Sequence, residues 1–298
     1  MSTEPPVWNP EPAGITPGPS APEPGTPAPA VARPIPVATL AIAAICVAVF
    51  VLQTRAGGSK NPYVLLDFGV SHRSYFVHGQ YWRAVMPLFL HIGWWHLAMN
   101  MVPFLLLGPV LEEMYGYGRY ACVYLGAGII GVLTSMFIGH HESAGASGAI
   151  MGVIAAIPTA GHFHRDALPY HLARVFRRGR LTVLLVVFMV MEIVSGFTVS
   201  NVDNWGHLGG LLGGALLALL IPTPKVPEGR GAGEAGVGWD REPRSVNAWS
   251  NQAVVLIPVA VVALGMFGAA RHYRVAHQVS QMLDQAERLR VNRQPGQA

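Results

Sequence analysis

The sequence has little charge and almost no cysteine. Only 12% of its 298 residues are charged, whereas a typical soluble domain has about 25%. Because 51% of the residues are hydrophobic and the mean hydropathy is +0.37, the composition excludes an ordinary soluble domain and indicates a polytopic membrane protein. Cys46 and Cys122 both lie in apolar runs, so they indicate neither a disulfide framework nor a zinc site. The net charge of +4 is small, and the basic residues do not form a stripe interleaved with aromatic residues. A nucleic-acid partner is therefore not expected.

Proline is concentrated at one end of the chain. Residues 1–36 hold twelve of the 24 prolines, and such a composition favours disordered or polyproline-like chain. We therefore expect residues 1–34 to form a disordered cytoplasmic tail. The first long apolar run begins near Ile35 behind a segment that is not basic, which is not the pattern of a cleavable signal peptide.

Seven apolar runs follow the tail, and a helix needs about 20 residues to cross a membrane. The runs lie near residues 35–53, 94–111, 120–138, 146–161, 181–200, 205–221 and 253–270. They predict an all-α polytopic membrane protein with a six-helix core over residues 35–221. A linker at 222–249, a seventh transmembrane helix at 250–270 and a polar tail at 271–298 complete the predicted organisation.

The arginines predict the orientation of the chain in the membrane. The loop at 162–180 carries five arginines against one aspartate, so the positive-inside rule assigns it, and with it the N-terminus, to the cytoplasm. The basic first loop at 54–93 and the basic tail after Ala270 oppose this assignment, because both would lie outside. The first loop is also rich in aromatic residues, which favour the outer interface of the bilayer; an extracellular loop with its own small core is the alternative.

Two polar residues stand at the heads of apolar runs. Ser147 lies in the small-residue segment 145–149, and His207 lies between Gly206 and Leu208. Each alone has an ordinary explanation, since serine is common where membrane helices pack and histidine is common at interfaces. Together they are the nucleophile and the base of a serine hydrolase, and polar groups inside a membrane are expensive enough to suggest function.

Two further polar groups and a set of glycines support this hypothesis. His96 and Asn100 are four residues apart, so they share one face of the second helix, near the depth expected for Ser147 and His207. Glycines at helical spacing predict that the fourth and sixth helices pack closely. These glycines are Gly148 and Gly152 in the fourth run and Gly206, Gly210 and Gly214 in the sixth.

These motifs together resemble the rhomboid family of intramembrane serine proteases. The matching elements run in the family's order over about residues 35–221: Trp82-Arg83, His96-x-x-x-Asn100, Glu112-x-x-x-Gly116, Gly145-x-Ser147-Gly148 and His207-x-x-Gly210-x-x-x-Gly214. The resemblance implies a rhomboid-like six-helix core, and the seventh helix resembles the family's six-plus-one members. It also implies a multi-pass protein, here expected in the plasma membrane, that cleaves transmembrane protein substrates within the lipid bilayer.

The resemblance implies a role for each matching position. Ser147 would be the nucleophile and His207 the general base of a dyad without a carboxylate, and His96 and Asn100 would line the oxyanion hole with the Ser147 N–H. Trp82 and Arg83 would brace the first loop, and Glu112 would anchor the cytoplasmic end of the second helix. The supporting positions are completed by Gly145, Gly148, Met151, Gly210 and Gly214; Met151 stands where many members carry an aromatic residue against the catalytic histidine.

Other polar residues are not assigned to the site. The pairs His140-His141 and His162-x-His164 lack a third ligand at suitable spacing, so neither a metal nor another cofactor is expected. Glu192 receives no catalytic role. Two other functions remain open: a non-catalytic rhomboid-like protein that binds transmembrane helices, and a transporter or channel. Such binding proteins typically lack the serine or the histidine, and a transporter would favour inverted repeats, which are not evident.

Overall fold

A computed structural model describes residues 35–140, 142–164, 179–198 and 202–223, together with single positions at 172, 176, 268, 271, 282 and 285. Within those residues the secondary structure is helical and contains no strand. The helices are α1 (Val37–Arg55), α2 (Pro62–Phe68), α3 (Arg73–Val77), α4 (Gly93–Tyr115), α5 (Tyr117–Thr134), α6 (Ser147–Phe163), α7 (Arg180–Thr198) and α8 (Asn204–Leu220).

Hydropathy predicted the long helices correctly. Each of the first six apolar runs is a helix whose ends lie within a few residues of the expected positions. Three stretches in the described residues are long and apolar enough to cross a membrane, namely Val37–Arg55, Gly93–Tyr115 and Tyr117–Gly139, whereas α6 and α8 are apolar but shorter. The all-α prediction is therefore confirmed for this part of the chain, while the tail at 1–34, the linker and almost all of the seventh run lie outside the described residues.

The first loop contains more structure than its sequence predicted. It holds the short helices α2 and α3, followed by two 3₁₀ turns at Tyr81–Ala84 and Met86–Phe89. The second turn is buried in the same hydrophobic core as the long helices. The third run also differs from a plain helix, because α5 ends at Thr134 and continues as a π-helical turn over Ser135–Gly139.

Glycines bring α6 and α8 into backbone contact. A Cβ atom on Gly148 would lie 3.1 Å from the Gly206 carbonyl oxygen, and one on Gly152 would lie 2.9 Å from that of Gly210. Contacts that advance by four residues on both helices mean that α6 and α8 run in parallel, so their N-termini lie at the same end. The predicted close approach of the fourth and sixth helices is confirmed. Gly131 of α5 packs against the same point, because a Cβ atom on Gly131 would lie 2.6 Å from the Gly206 carbonyl oxygen.

Candidate active site

The parallel packing of α6 and α8 brings Ser147 and His207 together. Ser147 is the first residue of α6, and His207 lies in the first turn of α8. The Ser147 Oγ and the His207 Nε2 are 2.8 Å apart, which is a normal hydrogen-bond distance. If the serine hydroxyl donates to Nε2, the neutral ring carries its proton on Nδ1. The pair then has the geometry of a nucleophile and its general base.

The segment before Ser147 is held by the first loop. Gly145 has a φ of +135°, a conformation that residues with a side chain rarely adopt, and its N–H donates to the Pro87 carbonyl over 2.8 Å. Ser143 is paired with Ser71 through two hydrogen bonds, because its N–H donates to the Ser71 Oγ and its carbonyl accepts from the Ser71 N–H. The position of the serine at the head of α6 therefore depends on the first loop.

His96 lies beside this segment with a defined tautomer. Its Nδ1 accepts a hydrogen bond from the Ile92 N–H at 3.3 Å, so the neutral ring carries its proton on Nε2. A Cβ atom on Gly145 would lie 2.8 Å from that nitrogen and 3.7 Å from the Ser147 Oγ. His96 therefore offers an N–H donor near Ser147, and only a glycine at position 145 leaves room for it.

Asn100 is buried one helical turn further along α4. Its Nδ2 donates to the His96 carbonyl oxygen at 2.8 Å, which ties its amide group to the residue that approaches Ser147. Asn100 is not among the residues that line the small pocket at Ser147 and His207, a pocket that includes Ser143, Gly145 and Asp203. Met151, one turn after Ser147, is buried in the core.

Trp82 and Arg83 form the centre of the first loop. The Arg83 side chain is fully buried, where its Nε donates to the Gln80 Oε1 at 2.7 Å and an Nη donates to the Val70 carbonyl at 2.9 Å. The guanidinium also lies over the rings of Tyr75 and Trp82, at 4.8 and 4.6 Å from their centres. Burial lowers the pKa of Arg83 to about 10, so the side chain stays charged at neutral pH and can bind the loop carbonyl.

Glu112 joins α4 to the start of α1. Its Oε1 accepts from the Ala38 N–H at 2.9 Å, and its Oε2 accepts from the Thr39 N–H and hydroxyl at 2.8 and 2.7 Å. The first N–H groups of a helix have no partner within the helix. A carboxylate at that end also complements the helix dipole, so Glu112 acts as a cap for α1 supplied by another helix.

We predict that Glu112→Ala destabilises the protein by about 2–3 kcal/mol. Hydrogen bonds to charged groups contribute about 1.5–3 kcal/mol each, and buried donors left without a partner add a penalty. The measurement is thermal unfolding of the purified protein in detergent micelles. Thr39→Val is the matched control, because it removes one of the three bonds and should cost about 1 kcal/mol. An unfolding temperature of Glu112→Ala equal to that of the wild type would contradict the capping role.

The sequence analysis missed His91, which precedes α4 and is fully buried. Its Nδ1 donates to the Phe89 carbonyl at 3.3 Å, its backbone N–H donates to the Gln53 Oε1 at 3.2 Å, and its ring stands edge-on to His96 with 5.5 Å between ring centres. Burial lowers the pKa of His91 to about 3, so the ring is neutral at physiological pH. Nothing in the spacing of His91 marks it, since it lies outside the helical run that carries His96.

A metal site was not expected from the sequence. Within the described residues, no three side chains of histidine, cysteine, aspartate or glutamate come together in a group that could hold a metal ion. His140 instead lies 3.2 Å from Arg73 through its Nδ1, and His164 contacts the Ala218 carbonyl at 2.9 Å. His141 lies outside the described residues.

Comparison with known proteins identifies relatives of this chain. The family model of the Rhomboid domain matches residues 78–223. Rhomboid protease GluP of Bacillus subtilis is 37% identical over 187 residues, which are 63% of this chain and 35% of GluP. Rhomboid-like protease 2 of Toxoplasma gondii is 30% identical over 184 residues, 59% of this chain and 62% of that protein. The rhomboid protein YdcA of Bacillus subtilis is 30% identical over 150 residues, 50% of this chain and 71% of YdcA.

The helical fold and the matches define an integral, multi-pass membrane protein. The chain belongs to the rhomboid family. It spans about a third of the length of GluP and less than two thirds of that of the Toxoplasma relative.

Proposed function

We propose that this chain is an intramembrane serine endopeptidase in which Ser147 is the nucleophile and His207 is the general base. The observation that carries the proposal is the 2.8 Å contact between the Ser147 Oγ and the His207 Nε2, at the heads of two helices that pack in parallel. The protease names of GluP and the Toxoplasma relative support the same reaction. In finer detail, we propose a six-helix rhomboid core with one additional C-terminal transmembrane helix, located in the plasma membrane.

The proposed reaction begins with attack of the Ser147 Oγ on a peptide carbonyl. His207 takes the hydroxyl proton at Nε2 and later gives it to the leaving amine, as in other serine proteases. The oxyanion that develops needs donors already in place. The Ser147 N–H lies at the start of α6, where it has no helical partner. The Nε2 of His96 and the Ser147 Oγ both lie within 4 Å of the point that a Cβ atom on Gly145 would occupy. Asn100 contributes through its bond to the His96 carbonyl and through its second amide hydrogen.

The proposed substrates are transmembrane segments of other membrane proteins. A helix keeps its carbonyls in its own hydrogen bonds, so the substrate must unwind locally before Ser147 can reach the scissile bond. Water must then reach the acyl-enzyme, which requires the site to open towards the membrane surface. The dyad and the donors complete this chemistry with the chain's own groups, and the proposal includes no metal or cofactor.

A serine-reactive fluorophosphonate probe tests the proposed function. The wild type should be labelled covalently in detergent and Ser147→Ala should not, with both proteins showing the same melting temperature. A folded wild-type protein that the probe does not label would instead favour a non-catalytic rhomboid-like protein that binds transmembrane helices. Ion or solute flux through reconstituted vesicles without labelling would favour a transporter or channel.

We predict that the active site opens to the outside of the cell. The five arginines of the 162–180 loop predict that it is cytoplasmic. In that orientation α6 runs inward and its N-terminal Ser147 lies near the outer surface. A single cysteine in that loop, after replacement of Cys46 and Cys122, measures the orientation. It should resist an impermeant maleimide in intact cells and react after permeabilisation. Labelling in intact cells would reverse the orientation and place product release in the cytoplasm.

A further inference from the structure

Asp203 forms the start of the helix that carries His207. Its Oδ1 accepts a hydrogen bond from the Gly206 N–H at 2.9 Å, and its backbone carbonyl accepts from the His207 N–H at 3.0 Å. Aspartate is among the best N-cap residues because its side chain satisfies an N–H of the first turn. Both bonds end on the turn that carries the imidazole, so the conformation of Asp203 sets the position of His207.

The second oxygen of the same carboxylate has no role in the cap. The Asp203 Oδ2 is buried and has no hydrogen-bond partner among the described residues, and Asp203 lines the pocket that also contains Ser147 and His207. A Cβ atom on Gly206 would overlap this oxygen, so glycine at position 206 makes room for the carboxylate. A buried acceptor without a partner is unfavourable, so an unpaired carboxylate oxygen beside Ser147 and His207 calls for an explanation.

The same pocket holds a matching donor. The His207 Nε2 faces the Ser147 Oγ, which leaves the ring proton on Nδ1, and Nδ1 is likewise buried with no partner in the described part of the chain. Among the described residues, the charged or titratable groups that interact electrostatically with this ring are Asp203 from the start of α8, Glu192 from α7 and His96 from α4. Of these, Asp203 is the carboxylate that lines the pocket.

We propose that Asp203 is a positioning residue for His207. The negative charge of the Asp203 carboxylate stabilises the imidazolium that forms when the His207 ring takes the serine proton. The proposal rests on the proposed function. It adds a carboxylate to a site in which the sequence analysis expected only a serine and a histidine. In the step concerned, the Ser147 Oγ forms its bond to the substrate carbonyl and its proton moves to the His207 Nε2. Asp203 keeps its negative charge throughout and takes no proton.

The cap and the charge can be separated by substitution. Asp203→Asn keeps a side-chain oxygen for the cap, since asparagine caps helices as well as aspartate does, but it removes the charge. Asp203→Ala removes both. Glu192→Gln is the matched comparison, because it removes a carboxylate that also acts on His207 but does not line the pocket. All variants are compared as full-length purified protein in detergent micelles, with kcat and KM for a transmembrane substrate measured over pH 5.5–9.

We expect Asp203→Asn to have the same melting temperature as the wild type. Its kcat should fall about 10- to 100-fold, with little change in KM. The loss should be smaller than the ~10⁴-fold seen when a directly bonded triad carboxylate is neutralised, because no direct bond joins Asp203 to the ring. The acid limb of the kcat/KM profile should move to lower pH, since the ring loses an anionic neighbour. Asp203→Ala should show the same kinetic loss and a lower melting temperature, and Glu192→Gln a smaller kinetic loss.

Three outcomes would overturn the proposal. Asp203→Asn could keep the kcat and the pH profile of the wild type while Ser147→Ala is inactive; the proposed function would then stand and Asp203 would be a cap only. Asp203→Asn could lose activity only in proportion to its melting temperature, which also reduces Asp203 to a cap. Finally, a wild type that neither cleaves substrate nor reacts with fluorophosphonate would remove the proposed function, and the role of Asp203 with it.

Discussion

Ser147→Ala is expected to abolish cleavage of a transmembrane substrate while the protein keeps its fold. Loss of the nucleophile in a soluble serine protease lowers kcat by about 10⁶-fold, which would take this activity below detection. The fold should survive because the substitution removes one hydroxyl, and neither the glycine contacts between α6 and α8 nor the Gly145 bond to Pro87 involves it. The measurements are the cleavage of a tagged substrate by purified protein and a melting curve of the same sample.

Ser143→Ala is the matched control for this experiment. Ser143 lies four residues before Ser147 and lines the same pocket, but its hydrogen bonds to Ser71 run through its backbone and survive the change to alanine. This variant should keep most of the activity. If Ser147→Ala still cleaved and Ser143→Ala did not, the nucleophile would be Ser143; if both cleaved normally, the serine protease proposal would fail.

The long helices could be predicted from the sequence because burial in a bilayer imposes one simple requirement. Each run had to be apolar and about 20 residues long, and α1, α4 and α8 begin and end close to the hydropathy limits. The first loop could not be predicted in the same way. Arg83 is buried there, and its bonds to the Val70 carbonyl and to the Gln80 side chain leave no periodic pattern in the sequence.

The meeting of Ser147 with His207 could be inferred from the glycine spacing, because glycines at every fourth position permit close backbone approach. The part played by α5 was not inferred, although Gly128 and Gly131 give that helix a similar small-residue face. Asp203 was missed for another reason. The sequence analysis assigned it no role, yet an aspartate just before an apolar run is an N-cap signal that would have placed a carboxylate near His207.

His207→Ala is expected to be as inactive in substrate cleavage as Ser147→Ala, and the double variant should be no worse. Residues that act as one catalytic unit are strongly non-additive, since removal of the base leaves the serine hydroxyl without activation. His78→Ala is the control, because His78 is an exposed histidine whose Nδ1 bonds only the Ser74 carbonyl at 2.7 Å. It should cleave like the wild type.

Labelling by fluorophosphonate is a second measurement. It can compare variants whose substrate cleavage is too slow to detect. His207→Ala retains the Ser147 hydroxyl, so it should react slowly and faster as pH rises, because hydroxide must replace the missing base. The double variant should not react at any pH. Labelling of His207→Ala at the wild-type rate, with the wild-type pH dependence, would show that the 2.8 Å contact between Nε2 and Oγ does not activate the serine. The base would then have to be sought elsewhere.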